Sequence, residues 1–398
     1  YHHSPEAKRL YYNTFIALED DDEASYKAQL EQLAGKIESE LRRFIIEEQI
    51  EFLIPHNIWS VAANPAVAPA VARVAREFGL RTLAHNHDFY WERVEGVALT
   101  CATAIELADK VPPPRDPLFK HTVINSLAQR ELAARKGIES IVIPNVFDFT
   151  AADWAVDEFN QDFRARIGLN ENDICILQAT RIVPRKGIEL AVDFVQALNS
   201  PRRRRLLEER GLYDGRPFSS EDRIVFVLAG YTQDESTGQY LAFLKEKIAE
   251  AGVDALFIEE LVDEKRQQAN GEKIYSLWDT YVFADFFTYP SLWEGWGNQL
   301  LEALRARLPF LLFEYAVYIE DIKDSGFRSV SLGTEILRRD ERGLAEVAPE
   351  VIEQAADETI ELLTHSRLRQ DMVEHNYRLA HEYYSLDSLR DYFEELIN

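Results

Sequence analysis

The feature that most constrains this 398-residue chain is a repeated alternation: a short apolar run, a polar corner, then apolar residues at helical spacing. Short runs rich in β-branched and aromatic residues read as strands buried on both faces. Such strands alternating with helices require a parallel sheet, because a parallel partner is reached only through a crossover. The first series predicts a helix over about 24–48, with Leu30, Leu33, Ile37, Leu41, Phe44 and Ile45 at helical spacing. A strand at 51–54 ends in Pro55-His56-Asn57, a helix at 65–78 closes on Gly79, and a strand at 81–84 follows. A strand at 121–124, a helix at 126–136 ending at Gly137, and a strand at 141–143 complete that series. The segment 146–162 has no clear strand and reads as a connection between domains. The second series predicts strands at 174–179, 223–228, 255–258, 284–289 and 310–313, with helices at 187–198, 238–251, 272–282 and 298–306. From about 348 the chain reads as helical, with a break at Tyr384-Ser385-Leu386-Asp387. Two α/β domains follow, as the length also suggests.

In parallel sheets, functional residues gather in the loops at the carboxyl ends of strands. The polar clusters at 55–57, 85–93 and 144–145 fall there, and two richer ones fall in the second series. Arg181-Ile-Val-Pro-Arg-Lys186-Gly187 follows the run 174–179, and Glu294-Gly-Trp-Gly-Asn-Gln-Leu-Leu-Glu302 follows the run 284–290. Arg181 offers a forked donor to phosphate oxygens and Lys186 a point charge, while the helix opened by Gly187 adds backbone amides. The spacing lacks the glycine pattern of a Walker loop. Gly295 and Gly297 let backbone amides approach a ligand. Glu294 and Glu302, flanking Trp296 and Asn298, can each accept a pair of vicinal hydroxyls. Cations for a diphosphate beside carboxylates for sugar hydroxyls read as a nucleotide-sugar pocket.

The remaining composition narrows the field. A formal net charge of −25 argues against nucleic-acid or anionic-membrane partners. Two cysteines, Cys101 and Cys175, exclude a disulfide framework, and Cys175 reads as a core residue. No run is long enough to span a membrane and no signal pattern opens the chain, so a cytoplasmic setting is expected. The sole methionine is Met372, which suggests that an N-terminal segment precedes Tyr1. His85, Asn86, His87 and Asp88 form the densest polar cluster of the first series. A metal is not expected there: neighbouring side chains are read as alternating between opposite sides of an extended segment, and no Glu or Cys has zinc-site spacing. A hydroxyl-orienting role for His87, or less so His85, competes with a structural one; Tyr90 and Trp91 either stack on a sugar or pack. Asp20-Asp21-Asp22 and the run Arg202–Arg205 read as a solvated helix lead-in and a solvated insertion.

In combination, Ile143-Pro144-Asn145, Arg181-x4-Lys186-Gly187 and Tyr289-Pro-Ser-x-x-Glu294-Gly-x-Gly-x4-Glu302-Ala resemble the retaining glycosyltransferases of family 4, which have the GT-B fold. The wording His87-Asp-Phe-Tyr-Trp-Glu-Arg93 and Gln178-Ala-Thr-Arg-Ile-Val-Pro-Arg-Lys-Gly187 is similar to that of transferases making mannosylglucosylglycerate, a compatible solute. The resemblance implies two Rossmann-like domains facing across a cleft, over 1–150 and 151–372, with a C-terminal helix at 373–398 crossing back. It implies hexose transfer from a donor such as GDP-mannose or UDP-glucose to a small-molecule or glycoside acceptor. Arg181 and Lys186 would bind the diphosphate, Glu302 the ribose and Glu294 the hexose. The turn Gly295-Trp296-Gly297-Asn298 would line the donor site, and His85, His87, Asp88 and Asn145 the acceptor side. Trp296 stands where the family commonly has Phe, and the family's N-terminal strand and glycine-rich loop are not in this chain. No metal or other cofactor is required on this reading, since Arg181, Lys186 and helix N-termini supply the positive charge. A sugar-nucleotide epimerase and a non-catalytic sugar-nucleotide binder are the alternatives.

Overall fold

In the computed structural model, residues 4–18, 22–92, 97–231, 238–269 and 271–397 are described. They divide into two compact units at Pro144–Asn145. Unit 1 carries a four-stranded sheet in chain order, β1 (Phe52–Leu53), β2 (Arg81–Asn86), β3 (Phe119–Val123) and β4 (Ser140–Val142), with every pair parallel. The helices are α1 (Pro5–Phe15), α2 (Glu23–Glu47), α3 (Val67–Glu77), α4 (Ala102–Lys110) and α5 (Ser126–Lys136). The helix α3 buries Ala68, Ala70, Ala72 and Ala75, small residues that let α2 and the sheet approach closely. Asp22 caps α2 by accepting from Ser25 N at 2.8 Å, as a lead-in residue should. Asp20 and Asp21 lie outside the described residues, as does Arg93. Tyr90 and Trp91 pack: Trp91 stacks on Phe89 at 4.4 Å between ring centres, and Tyr90 meets Phe15 at 5.6 Å.

Unit 2 is built on six parallel strands: β5 (Ile174–Gln178), β6 (Ile224–Leu228), β7 (Asp254–Phe257), β11 (Phe286–Tyr289), β12 (Phe310–Leu312) and β13 (Val330–Ser331). A small sheet of β8 (Val262–Asp263), β9 (Gln267–Ala269) and β10 (Glu272–Ser276) is inserted before β11. The helices are α6 (Phe163–Arg166), α7 (Ile188–Leu198), α8 (Pro201–Arg210), α9 (Gln239–Ala251), α10 (Leu277–Val282), α11 (Asn298–Arg305), α12 (Pro349–Thr364), α13 (Ser366–Tyr383) and α14 (Leu386–Ile397). The break before α14 falls where the sequence places it. Cys175 is 1% exposed inside β5, and burial pushes its thiol up to about 12, as suits a core residue. Among the described residues no helix is long and apolar enough to cross a membrane.

Two expectations fail here. The predicted helix at 272–282 is strand β10 followed by α10, because Ser276 and Asp279 form a reciprocal capping box that starts the helix only at Leu277. The basic run 202–205 is not a solvated insertion but part of α8. Arg203 is 1% exposed and donates to Glu353 and Asp357 of α12 and to the Ala197 carbonyl. Its helical position, one turn before buried Leu207, turns it inward, while Arg204 is half-buried and Arg202 and Arg205 stay exposed. Residues 146–162 run as turns and extended chain, with one bridge from Phe147 to Ser385. Buried Arg305 fastens this segment by donating to the carbonyls of Ala151 and Ala152 and to Asp153.

Candidate functional site

The strand order in unit 2 is β13-β12-β11-β5-β6-β7. The chain builds outward from β5 to β7, then returns to the other edge of β5 with β11. Between β5 and β11 the direction of winding reverses, so the loops leaving their carboxyl ends diverge and open a crevice. The two motif-bearing loops leave those two strands. A buried chain of hydrogen bonds ties the strand ends together: Thr288 Oγ1 donates to Gln178 Oε1, whose amide donates to Thr180 Oγ1, both at 2.6 Å.

Two glycines set how closely the loops approach. Gly187 has φ +58, and a Cβ there would collide with the Pro290 carbonyl. The loop after β11 is fastened at the same point, with Leu292 N donating to Arg185 O at 2.9 Å. Gly230, after β6, presses so closely on the Thr180 carbonyl that any side chain would displace it.

This docking brings Lys186 and Glu294 together although 108 residues separate them. Lys186 is 2% exposed and Glu294 6%. The Lys186 ammonium donates to Glu294 Oε1 and, at 3.2 Å, to Gln299 Oε1, and lies 5.5 Å from the centre of the Tyr289 ring. Arg185 donates to the other Glu294 oxygen at 2.7 Å. Burial pulls the Glu294 pKa up, but Lys186 and Arg185 together outweigh it and hold the carboxylate below its ordinary range. Burial lowers the Lys186 pKa, and the charges of Arg185 and Arg181 add to that, against the pull of Glu294. Half-buried Arg181 is thus within electrostatic reach of the same group.

Glu302 lies in the second turn of α11, 7% exposed, and accepts from the Tyr281 hydroxyl at 2.6 Å. Burial pushes its carboxyl up to about 7, against smaller lowering by Tyr281 and Lys186. The folded form then holds a proton that the unfolded chain releases near its ordinary value. This stabilisation is full below that value and is lost as pH rises through about 7. Glu302→Gln carries no such proton, so its stability relative to the parent should rise by about 2 kcal/mol between about pH 5 and 8. Thermal unfolding of both forms at the two pH values reads this directly. A gap independent of pH would show that the carboxyl titrates normally.

The turn between the two carboxylates is held from below. Trp296 is 2% exposed and packs edge-on against Tyr384 at 4.8 Å, and its carbonyl accepts from the Tyr315 hydroxyl. Gly297 has φ +133, where a Cβ would strike that same hydroxyl. Gly295 is half-buried, and Asn298, exposed at the start of α11, accepts from Asn145 Nδ2 at 2.6 Å. Arg181, Lys186, Glu294, Glu302 and Asn145 therefore belong to one unit. Arg185, Gln299, Tyr281 and Tyr315 join them unforeseen. Arg185 and Gln299 sit inside the motifs and carried a signal, whereas the tyrosines come from distant elements and carried none.

In unit 1 the structure corrects the reading of the histidine pair. His85 and His87 are two residues apart, so on extended chain they share a side rather than oppose. Their ring centres are 4.8 Å apart. His56, which the sequence reading left unassigned, joins them because residue 56 bridges residue 85 across neighbouring parallel strands. His56 Nε2 and His87 Nε2 are 2.8 Å apart, and His85 Nδ1 lies 2.8 Å from Thr122 Oγ1. Asn57, at φ +57, takes the His87 amide on its side chain at 2.7 Å and fastens the two loops. Burial, with the neighbouring imidazoles adding to it, lowers His85 to about 4 and His87 to about 3. Asp88 is exposed beside them.

With this geometry in hand, the likenesses to known proteins are informative. Residues 159–379 match the family model described as Glycosyl transferases group 1. The chain is 37% identical over 350 residues to a mannosylglucosylglycerate synthase of Petrotoga mobilis, covering 88% of this chain and 78% of that protein. It is also 37% identical over 391 residues to a protein of that name from Thermotoga maritima, covering 98% and 85%. Among solved structures it resembles a glycosyltransferase from Rickettsia africae (TM-score 0.56, 14% identity, 90% of this chain and 79% of that one). It likewise resembles Anabaena HepE in complex with UDP and glucose (TM-score 0.55, 14% identity, 92% and 81%). The structural likenesses bear on the fold alone, which is of the GT-B class. On the family model and on identity over most of its length, this chain belongs to the glycosyl transferases of group 1.

Proposed function

We propose that the chain moves a hexose from a nucleoside-diphosphate sugar, GDP-mannose or UDP-glucose, to a hydroxyl of a small glycoside such as glucosylglycerate, with retention at the anomeric carbon. The observation that carries this reading is the buried cluster of Lys186, Arg185 and Glu294 at the switch point of unit 2, beside the first turn of α11. The names of the two relatives support the acceptor class.

In this reading the bond from the anomeric carbon to the diphosphate breaks as the acceptor oxygen bonds to the same face. The acceptor proton passes to the departing phosphate oxygen. The protein acts by positioning and by stabilising charge on the leaving group. Arg181 and Lys186 hold the diphosphate, with the backbone amides of the turn Gly295-Trp296-Gly297-Asn298 bounding the donor. Glu294 accepts from hexose hydroxyls and Glu302 from the ribose. His87, His85, Asp88 and Asn145 serve the acceptor. No metal is required for this chemistry, because the two cations and the helix amides neutralise the diphosphate.

Incubation with GDP-mannose or UDP-glucose, with and without glucosylglycerate, tests the reading by product analysis. A glycosylated acceptor of retained configuration is expected. An altered sugar nucleotide would make the chain an epimerase, and thermal stabilisation by the donor without any product would make it a binder.

A further inference from the structure

We infer that His56, His85 and His87 form a binding site for one divalent transition metal of the zinc type. Their ligand-competent atoms all lie within 4.8 Å of one another. A tetrahedral zinc ion, with bonds of about 2.0–2.1 Å to nitrogen, holds its ligands about 3.3 Å apart. His56 Nε2 and His87 Nε2, 2.8 Å apart, would part by about half an ångström to reach that spacing. Small rotations of half-exposed rings are enough for this.

The backbone already supplies the convergence that metal sites need. The bridge between residues 56 and 85 sets two imidazoles side by side, the period of extended chain adds the third, and Asn57 locks the loops. Thr122 Oγ1 holds Nδ1 of His85 and so fixes how that ring is turned, as the partners of metal-bound imidazoles commonly do. Among the described residues the group consists of imidazoles alone. Three neutral nitrogen donors select zinc, cobalt, nickel or copper ions over magnesium and calcium, which take oxygen ligands. His56 is exposed, which gives the ion a route in and a coordination position open to solvent. The inference does not rest on the transferase reading, because it concerns binding by unit 1 residues.

The test uses the full, tag-free chain, stripped of metal by a chelator and desalted. It is titrated with Co(II), whose visible absorption reports coordination geometry, and dialysed against Zn(II) for metal analysis. One equivalent of either ion is expected, with the strong visible bands of four-coordinate cobalt. His56→Ala, at an exposed position, should weaken binding at least about tenfold while its unfolding temperature without metal matches the parent. His375→Ala, at a half-buried histidine of α13, should leave binding unchanged. Binding well below one equivalent, binding that survives His56→Ala, or binding lost in His375→Ala would overturn the inference. Should His56→Ala lower metal-free stability, His87→Gln supplies the same comparison.

Discussion

Lys186→Ala should lower kcat/KM for hexose transfer by about a thousandfold, the scale on which a single charge-stabilising donor acts at a transition state. Truncating a lysine on an exposed loop would ordinarily leave the fold intact. The structure gives a different expectation, because Lys186 is 2% exposed and bonded to a carboxylate that is itself buried. Removing one partner of a buried pair strands the other, and Arg185 on the second Glu294 oxygen compensates only in part. A loss of about 2–4 kcal/mol should accompany the loss of rate. The double variant Lys186→Ala/Glu294→Ala separates the two effects. It should be less destabilised than the sum of the single changes, by about 1–3 kcal/mol, and should recover no activity. Urea unfolding and initial-rate kinetics on the three variants make the comparison. Parental turnover in Lys186→Ala would remove the assignment of this residue to the donor diphosphate.

Gly297→Ala should be the most damaging single-methyl change in the turn between the carboxylates. At φ +133 the backbone is in a region that L side chains rarely adopt, and the new methyl would strike the Tyr315 hydroxyl beneath it. Strain and overlap together should cost about 2–5 kcal/mol. Relief of the overlap would move the turn, and with it the first turn of α11, so transfer should fall as well. Gly343→Ala is the control: its φ is +81, but nothing lies within 4 Å of the new methyl, so only the backbone cost of about 1–2 kcal/mol remains. Equal losses at the two positions would show that the Tyr315 contact does not shape the turn. Adding Tyr315→Phe to Gly297→Ala should restore part of the stability, since the overlap is with the hydroxyl.

The motifs in the two βα corners of unit 2 were legible because strand, turn and helix signals are local. The apolar run before each corner, the glycines within it and the charged residues after it are all read within about a dozen residues. Arg203 shows where such reading stops. Four consecutive arginines carry the composition of a solvated run, yet one of them lies on the buried face of α8 and meets carboxylates of α12 about 150 residues away. The helix at 272–282 misled for a related reason. A capping pair of Ser and Asp is a weak local signal, and the strand before it is held by partners in β8 and β9 that its own residues do not announce. In unit 1, His85 and His87 share a side because residues two apart on extended chain point the same way. Residue 56 was missed because its place beside residue 85 depends on which strands pair.

Local order along the chain dictated two parallel sheets, the corners that bear charge, and the family to which those corners point. Only the tertiary structure decided that the corner after β5 meets the corner after β11, that Lys186 spends its charge on Glu294 and Gln299, and that three imidazoles converge. The reason is range. Periodicity and turn chemistry act over a few residues, whereas strand order is chosen by burial summed over the whole sheet, and no short stretch of sequence encodes it.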